Sequence, residues 1–307
     1  MKRFTGRYFN SLGRRFGLPT ALVRRGIKSA RRMIHPLDCL QRRSLAGPIA
    51  DGVPRQTGYR FYEAGRFASA EAALAECRAA YEAVEPWAEE QVGQHTYIRF
   101  FCRDGRAEPI AGTEELEECD FTSAPSVMRL ALDPEVLALA SAYLGEVPVL
   151  ANVQLYASLP NDTGVGPQLY HWDKGDDAQM KFLFLVGDCG DDGGPFTFLP
   201  ADSSAKVKRS LGAKSWGRMS DEEVFSVVER SSQVRFTGKF GDCLAIDSSA
   251  CLHFGSRSPS RPRLLLELQY MARQMILEPA FAFSRVRHTV DREVLTPEQR
   301  LAGALIL

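Results

Sequence analysis

The second half of this 307-residue chain is divided into short apolar segments, and this division constrains the fold more than any other feature. Each segment is bounded by Gly, Pro, Asp or Ser, which is typical of β-strands separated by turns. The predicted strands are 149–156, 168–173, 181–186, 195–199, 242–247 and 263–270. Such a series of short strands predicts a sandwich or a jelly roll for residues 147–275.

Helical signals dominate the first half of the chain. Residues 69–81 open with a capping serine and continue with strong helix formers. Residues 133–145 begin with Asp133 and Pro134 and end at Gly145, the usual order of N-cap, first-turn proline and closing glycine. One helix, 221–230, is predicted to interrupt the strands, and a last helix is predicted to start at Thr296. We therefore expect an α+β fold with a mainly β core, on which a helical front segment, 44–146, packs.

The zero net charge of the chain conceals a strong asymmetry. Residues 1–43 carry 12 basic residues and one acidic residue, or +11, whereas the remainder carries 26 basic and 37 acidic residues, or −11. Apolar residues recur at helical spacing between Leu22 and Ile34, so residues 1–43 are predicted to form a basic amphipathic arm. The arm is expected either to contact an anionic membrane or an acidic partner, or to dock on the acidic body of the same chain. No signature of nucleic-acid recognition is present, so no nucleic-acid partner is expected.

The composition, the lengths of the apolar runs and the cysteine pattern favour an ordered protein without membrane-spanning helices. Hydrophobic residues make up 45% of the chain and charged residues 25%, as expected of an ordered core. The longest apolar runs, such as 182–186, are much shorter than the roughly 18 residues that a membrane-spanning helix needs. The seven cysteines form no CxxC pair and follow no secretory signal, which favours reduced thiols and a cytoplasmic protein, peripheral at a membrane if the arm binds one.

A candidate metal site begins with His171-Trp172-Asp173 at the end of a predicted strand. Side chains two residues apart on a strand point to the same face, so the imidazole and the carboxylate can converge on one ion. A second histidine, His253, follows the predicted strand 242–247. Two histidines and a carboxylate form the ligand set of non-haem Fe(II) oxygenases. The pair alone is a weak signal, because a strand histidine bonded to a carbonyl is the commoner situation.

Further features occur at compatible positions. Residues 193–200 form a predicted tight turn and short strand ending at a proline, and Gly241 and Asp242 begin the strand before His253. Arg263 follows His253 by ten residues and opens the strand 263–270. Alternation places one set of residues on a single face of that strand: Arg263, Leu265, Glu267 and Gln269. An arginine on the face shared with a metal site could bind a carboxylate through two hydrogen bonds.

In the order and spacing of these features, residues 133–270 resemble the phytanoyl-CoA dioxygenase-like family of Fe(II)/2-oxoglutarate-dependent oxygenases. The resemblance rests on the His-x-Asp pair, the Gly-Gly-Pro-Phe turn, the Gly-Asp before a strand, the distal histidine and the arginine after it. It implies a cupin-like double-stranded β-helix (jelly roll) in a single domain over residues 44–275, followed by a C-terminal extension, 276–307. It also implies that His171, Asp173 and His253 bind Fe(II).

The resemblance assigns a cosubstrate pocket as well. Arg263 would bind the C5 carboxylate of 2-oxoglutarate, with Arg261 as the competing candidate. Ser256 would replace a hydroxyl that relatives often carry two residues after the distal histidine. The remaining polar residues expected to line the pocket are Lys181, Gln154 and Asn152.

The implied activity is a dioxygenase that uses Fe(II), 2-oxoglutarate and O₂ to hydroxylate a small-molecule or carrier-bound substrate, releasing succinate and CO₂. One alternative is an oxygenase of the same fold that catalyses desaturation, cyclisation or epimerisation. Another is a non-catalytic jelly-roll binding protein localised by its basic arm. The sequence predicts neither the substrate nor the oligomeric state.

Overall fold

The structure is a computed structural model that describes residues 26, 28–30, 32–109, 118–161, 163–173, 175–212, 217–257, 260–273 and 285–304. Within these residues the α-helices are α1 (Pro36–Ser44), α2 (Ala70–Glu82), α3 (Glu85–Glu90), α4 (Pro125–Ala131), α5 (Pro134–Leu144), α6 (Ala201–Leu211), α7 (Asp221–Phe225) and α8 (Pro297–Ala302). The strands are β1 (Tyr59–Tyr62), β2 (Tyr97–Arg99), β3 (Glu108–Pro109), β4 (Glu118–Asp120), β5 (Val149–Ser158), β6 (Gln179–Leu185), β7 (Phe196–Phe198), β8 (Val234–Phe236), β9 (Cys243–Asp247), β10 (His253–Phe254), β11 (Arg263–Met271) and β12 (Arg285–Arg287).

Two antiparallel sheets form the β core. The main sheet has the strand order β1-β9-β6-β11-β5-β2-β3, and the smaller sheet has the order β10-β7-β8. Apolar side chains of both sheets pack together in the layer between them, among them Leu183, Leu244 and Leu265 of the main sheet and Phe196, Phe198 and Phe236 of the smaller one. A mixed fold with a large antiparallel sheet is thus confirmed, whereas the double-stranded β-helix and the domain boundaries stay predictions.

Strand β11 shows how side-chain alternation divides the main sheet. Leu266, Leu268 and Tyr270 point to the outer face of the sheet. They are buried in an apolar core that also contains residues of α2, α4 and α5. Leu265 packs in the layer between the sheets, so Arg263 and Glu267 share its inner face. The alternation predicted for this strand is confirmed, and it places polar groups on the inner face of the sheet.

Helix α5 follows the predicted capping pattern closely. The Asp133 carboxylate accepts hydrogen bonds from the backbone N–H groups of Glu135 and Val136, and Gly145 closes the helix in the left-handed conformation at φ +75°. The helices predicted at 69–81 and from Thr296 are α2 and α8, and Thr296 caps α8 through the N–H of Gln299.

Several sequence-based expectations were wrong. The predicted strand 168–173 is instead a 3₁₀ turn, Gly166–Gln168, followed by two single bridges, because Tyr170 and His171 pair with different neighbouring segments. The predicted helix 221–230 ends at Phe225, before two β-branched valines that disfavour helix. Helix α6 was not predicted between the strands. The front segment is not purely helical, since β1 and β2 extend the main sheet.

Helix α1, which begins in the predicted arm and ends one residue beyond it, docks on the body through one face. The buried guanidinium of Arg42 donates to the carbonyls of Val147 (3.0 Å) and Leu301 (3.1 Å) and to the carboxylate of Asp38 (3.0 Å). The opposite face of the helix exposes Leu37 (80%) and Leu40 (61%). Residues 1–25, 27 and 31 of the predicted arm lie outside the described residues.

Two further observations bear on the class of protein. Among the described residues, no helix combines the length and apolar character needed to cross a bilayer. All seven cysteines are buried, and none of them forms a disulfide in the structure.

Candidate metal centre

Backbone pairing holds His171 and His253 side by side. The N–H of His171 donates to the carbonyl of His253 (2.8 Å), and the reverse bond measures 3.0 Å. Directly paired residues point to the same face of a sheet, so both imidazoles lie on one side with ring centroids 4.5 Å apart. The N–H of Asp173 donates to the carbonyl of Ser248 (3.0 Å), which brings its carboxylate beside the rings. One ligand atom from each of the three residues lies within 4.8 Å of the others, so the three could hold a metal ion.

The two imidazoles present the same ring nitrogen to this cluster. Nδ1 of His171 lies 2.8 Å from the carbonyl oxygen of Leu169, and Nδ1 of His253 lies 2.9 Å from that of Cys251. A carbonyl can only accept a hydrogen bond, so each Nδ1 carries the proton and each Nε2 keeps a free lone pair. A backbone partner of this kind also fixes the ring orientation of metal-binding histidines.

Electrostatics favour two neutral imidazoles and an ionised carboxylate. Burial lowers the pKa of His171 to about 3, with a further contribution from His253, and burial also lowers the pKa of His253. Burial alone would raise the pKa of Asp173, but the ammonium of Lys181 and the two imidazoles together hold that pKa well below its ordinary value. These are the protonation states that metal binding requires.

Lys181 links Asp173 to a second carboxylate. Its ammonium lies 2.9 Å from Asp173 Oδ2 and 2.9 Å from Glu267 Oε1. Burial alone would lower the pKa of Lys181, but the two carboxylates raise it above its usual value. The lysine therefore orients the Asp173 carboxylate and leaves Oδ1, 3.8 Å from His253 Nε2, turned toward the histidines.

Arg263 is buried at the start of β11 on the same inner face as Glu267. Its guanidinium donates to the carbonyl of Gly194 (2.7 Å) and the hydroxyl of Ser158 (3.1 Å). Its Nε is buried without a partner in the part of the chain that the structure describes. No described carboxylate pairs with this guanidinium, so it is a buried cation suited to an anionic ligand.

Two hydroxyls without hydrogen-bond partners accompany Arg263. The buried hydroxyls of Tyr97 and Ser256 form no hydrogen bond of good geometry among the described residues, although the backbone of Ser256 lies close to the Tyr97 hydroxyl. Tyr97 reaches this position because residue 255 is glycine, and a Cβ there would lie only 2.8 Å from the tyrosine oxygen. Burial raises the pKa of Tyr97, although the positive charge of Arg263 and the backbone of Ser256 act in the opposite direction. Buried polar atoms without partners are rare in folded proteins, so Arg263, Tyr97 and Ser256 are candidate contacts for a ligand.

The other predicted pocket residues differ in their positions. Arg261 is exposed and donates only weakly to the Asp188 carbonyl (3.4 Å). Gln154 and Asn152 lie on β5 directly opposite Glu267 and Gln269.

Sequence reasoning did not identify Tyr97. This residue comes from a short strand of the front segment, 74 residues before His171, and only the pairing of β2 with β5 brings it to the site. The one local feature that could have indicated a close contact at this place was the glycine at position 255, where a Cβ would collide with the tyrosine oxygen.

Comparisons with known proteins found several solved structures that match this chain at low sequence identity. No family model matches the sequence, and no curated protein matches it either. The structure of EctD from S. alaskensis with 2-oxoglutarate and 5-hydroxyectoine is 18% identical, with a TM-score of 0.48 over 78% of this chain and 83% of that chain. The epimerase SnoN, in complex with Fe³⁺, alpha ketoglutarate and nogalamycin RO, is 18% identical, with a TM-score of 0.42 over 71% and 80%.

A third structure is the non-heme alpha ketoglutarate dependent carbocyclase SnoK from nogalamycin biosynthesis. It is 15% identical, with a TM-score of 0.43 over 74% of this chain and 87% of that chain. Because these identities do not exceed 18%, the function of the present chain has to follow from its own residues.

Proposed function

We propose that this protein is an Fe(II)/2-oxoglutarate-dependent dioxygenase of the phytanoyl-CoA dioxygenase-like family, with a double-stranded β-helix core. The observation that carries the proposal is the cluster of two neutral imidazoles and one carboxylate within 4.8 Å. Lys181 links this cluster to Glu267, which shares the inner face of β11 with the buried Arg263. Two histidines and a carboxylate suit Fe(II), and they leave coordination positions for a cosubstrate and O₂.

Nε2 of His171, Nε2 of His253 and Oδ1 of Asp173 would hold the iron. All three are turned toward one another by contacts that exist without any ion: two backbone carbonyls and the ammonium of Lys181. When bound, Fe(II) and 2-oxoglutarate supply the oxidising chemistry. The protein orients the ligand atoms, and Phe196, stacked on His253 at 5.2 Å, covers one side of that ring.

Arg263 would bind the distal carboxylate of 2-oxoglutarate. Its free Nε and the unpaired hydroxyls of Tyr97 and Ser256 would gain partners from a single carboxylate. A charge-assisted bond to a buried guanidinium is stronger than one between neutral groups, and it also neutralises the buried charge. Arg261 has neither the burial nor the neighbours for this role, so we prefer Arg263.

We further propose that the reaction is hydroxylation of a small-molecule or carrier-bound substrate. Desaturation, cyclisation and epimerisation would use the same residues and differ in how the substrate is placed. A purely non-catalytic role is disfavoured, because a binding protein has no need of three preoriented ligand atoms and a buried arginine that has no acidic partner among the described residues.

The test is anaerobic titration of purified protein with Fe(II) and then 2-oxoglutarate, followed by addition of O₂. We expect one Fe(II) per chain and slow formation of succinate even without a substrate. A chelator-treated sample is the control. Protein that binds iron but forms no succinate above that control would contradict the proposed activity.

We also propose that the arm brings the enzyme to an anionic membrane surface. Among the described residues, five of the nine exposed large apolar side chains lie in one short region: Met33, Ile34, Leu37, Leu40 and Leu45. Arg32 and Arg43 are exposed beside them. Apolar side chains flanked by arginines fit the boundary between lipid tails and anionic headgroups. The acidic face of a soluble partner would satisfy the arginines but not the exposed leucines.

A further inference from the structure

Arg218 lies in one row with the two histidines of the candidate metal centre. Tyr170 and Met219 form an antiparallel bridge with hydrogen bonds of 3.0 and 2.9 Å in the two directions. In such a pair the preceding residue of one segment faces the following residue of the other, so Arg218 is directly opposite His171. His171 is bridged in turn to His253 on its other side.

Alternation places the Arg218 side chain on the face of the histidines. Met219 and Tyr170 are buried together with Phe254 in the apolar cluster on the outer side of these segments. Arg218 and His171, one residue away from them in each segment, therefore point to the inner side. Against the lowering effect of burial, the negative charge of Asp173 acts on the Arg218 guanidinium and raises its pKa, which agrees with this position.

Arg218 has no acidic partner among the residues that the structure describes. Within the described part of the chain it donates one hydrogen bond, to the carbonyl of Gly166, and its other N–H groups have no partner there. Burial lowers the pKa of Arg218, as expected for a guanidinium partly withdrawn from water. The residue as a whole is nevertheless exposed, so a ligand can reach it from outside.

Among the described residues around the candidate metal centre, positively charged side chains outnumber carboxylates by one. The inner face carries Lys181, Arg263 and Arg218 against the carboxylates of Asp173 and Glu267. A divalent metal and a doubly charged 2-oxoglutarate would cancel each other. With Lys181 held between its two carboxylates and Arg263 assigned to the cosubstrate, Arg218 is, among the described residues of this face, the cation without a counter-charge.

We propose that Arg218 binds an anionic group of the substrate, a carboxylate, phosphate or sulfate, and thereby sets the substrate class as anionic. This inference rests on the proposed function. The guanidinium would hold the anion beside His171, at the edge of the metal centre, and so present the neighbouring part of the substrate to the iron. The same chemistry could be used by the proximal carboxylate of 2-oxoglutarate, and the experiment has to separate these two sources.

The test uses inorganic sulfate as the probe on full-length protein loaded anaerobically with Fe(II) and 2-oxoglutarate. Thermal unfolding is followed while sulfate replaces chloride at constant ionic strength, in the parent, in Arg218→Gln and in Arg209→Gln. Arg209 is an exposed arginine of α6 and serves as the matched control. General stabilisation by sulfate acts on all three proteins alike.

We expect saturable stabilisation of the parent and of Arg209→Gln, with the apparent Kd for sulfate at least tenfold weaker in Arg218→Gln. Arg218→Lys, which keeps the charge but loses the planar fork, should lie between them. A separate titration gives the Kd of 2-oxoglutarate, which we expect to change less than threefold in Arg218→Gln.

Equal sulfate binding by the parent and Arg218→Gln would overturn the inference, and so would sulfate that merely coordinates the metal, because it would bind both proteins. A tenfold or larger loss of 2-oxoglutarate affinity in Arg218→Gln would assign the arginine to the cosubstrate instead. If the parent itself binds no 2-oxoglutarate, the proposed function fails, and that result is visible before sulfate is added.

Discussion

At the scale of single residues, the capacity of the centre to bind a metal depends on where two protons are held. Both Nδ1 atoms donate to carbonyls two residues earlier in the chain, so both Nε2 atoms face the centre as acceptors. Asp173 completes the set from a third direction, and Lys181 occupies its other oxygen. A metal would therefore enter a site that needs little reorganisation.

The first prediction concerns Asp173. Asp173→Ala should remove most Fe(II) binding and all succinate formation, because it deletes the only carboxylate of the set and leaves Lys181 with one partner. Fe(II) stoichiometry and succinate are the measurements, and Asp202→Ala, in the first turn of α6, is the control. If Asp173→Ala formed succinate as fast as the parent, the assignment of the ligands would be wrong.

The second prediction compares the two arginines near the start of β11. Arg263→Leu should weaken 2-oxoglutarate binding roughly 30-fold to several thousand-fold, since losing one side of a buried charged pair costs about 2–5 kcal/mol. Arg261→Leu should change it little, because Arg261 is exposed. Titration of 2-oxoglutarate into the anaerobic iron complexes compares them, and a larger loss for Arg261→Leu would reverse the assignment.

The third prediction separates stability from binding at Tyr97. Tyr97→Phe removes a buried hydroxyl without a partner, so the ligand-free protein should be as stable as the parent or slightly more stable. The Kd of 2-oxoglutarate should nevertheless rise about 3- to 10-fold, the effect of one lost hydrogen bond. Tyr62→Phe, which loses a bond to the carbonyl of Asp51 (2.8 Å), should show the reverse pattern. Unchanged 2-oxoglutarate affinity in Tyr97→Phe would exclude this hydroxyl from the pocket.

At the scale of helices and strands, the sequence predicted those elements whose signals are local. Helix α5 has its cap, its first-turn proline and its closing glycine within one stretch, and β11 shows its two faces in the alternation of its residues. The centre itself was anticipated from the spacing of His171 and Asp173, although the segment that carries them is not a continuous strand. Tyr97 and Arg218 were not assigned to the site, because their positions depend on pairing between segments far apart in sequence.

The fourth prediction tests how α1 is attached. Arg42→Met should destabilise the protein by about 3 kcal/mol, since it leaves the buried carbonyl of Val147 and the partly buried carbonyl of Leu301 without their charged donor. Arg43→Met, on the exposed side of the same helix, should change stability by less than about 0.5 kcal/mol. Urea unfolding of both variants provides the comparison, and equal stability would mean that α1 is not anchored through Arg42.

At the scale of the whole molecule, the arm was expected either to dock on the acidic body or to contact a membrane or an acidic partner. These two contacts would use different faces of one segment. Arg42 and Cys39 are buried against the body, and Lys28 is paired with the buried Asp176, three residues after Asp173. The opposite face of α1 exposes Leu37 and Leu40. The segment can therefore be docked on the acidic body and still present leucines and arginines outward, next to a further basic stretch of sequence.

The last prediction concerns that outward face. The full-length protein should co-sediment with phosphatidylserine-containing vesicles at low salt, bind them less at high salt and bind phosphatidylcholine vesicles weakly. Each basic residue near such a surface contributes about 1 kcal/mol, which salt screens, and burial of a leucine contributes roughly 1.5–3 kcal/mol. Leu37→Ser with Leu40→Ser should therefore reduce vesicle binding at least tenfold, while leaving uncoupled succinate formation intact. Val294→Ser is the matched control, because Val294 is as exposed (77%) but lies outside the arm. Full-length protein that stays in the supernatant with anionic vesicles at low salt would contradict membrane binding, whereas binding that resists the double substitution would place the contact elsewhere on the chain.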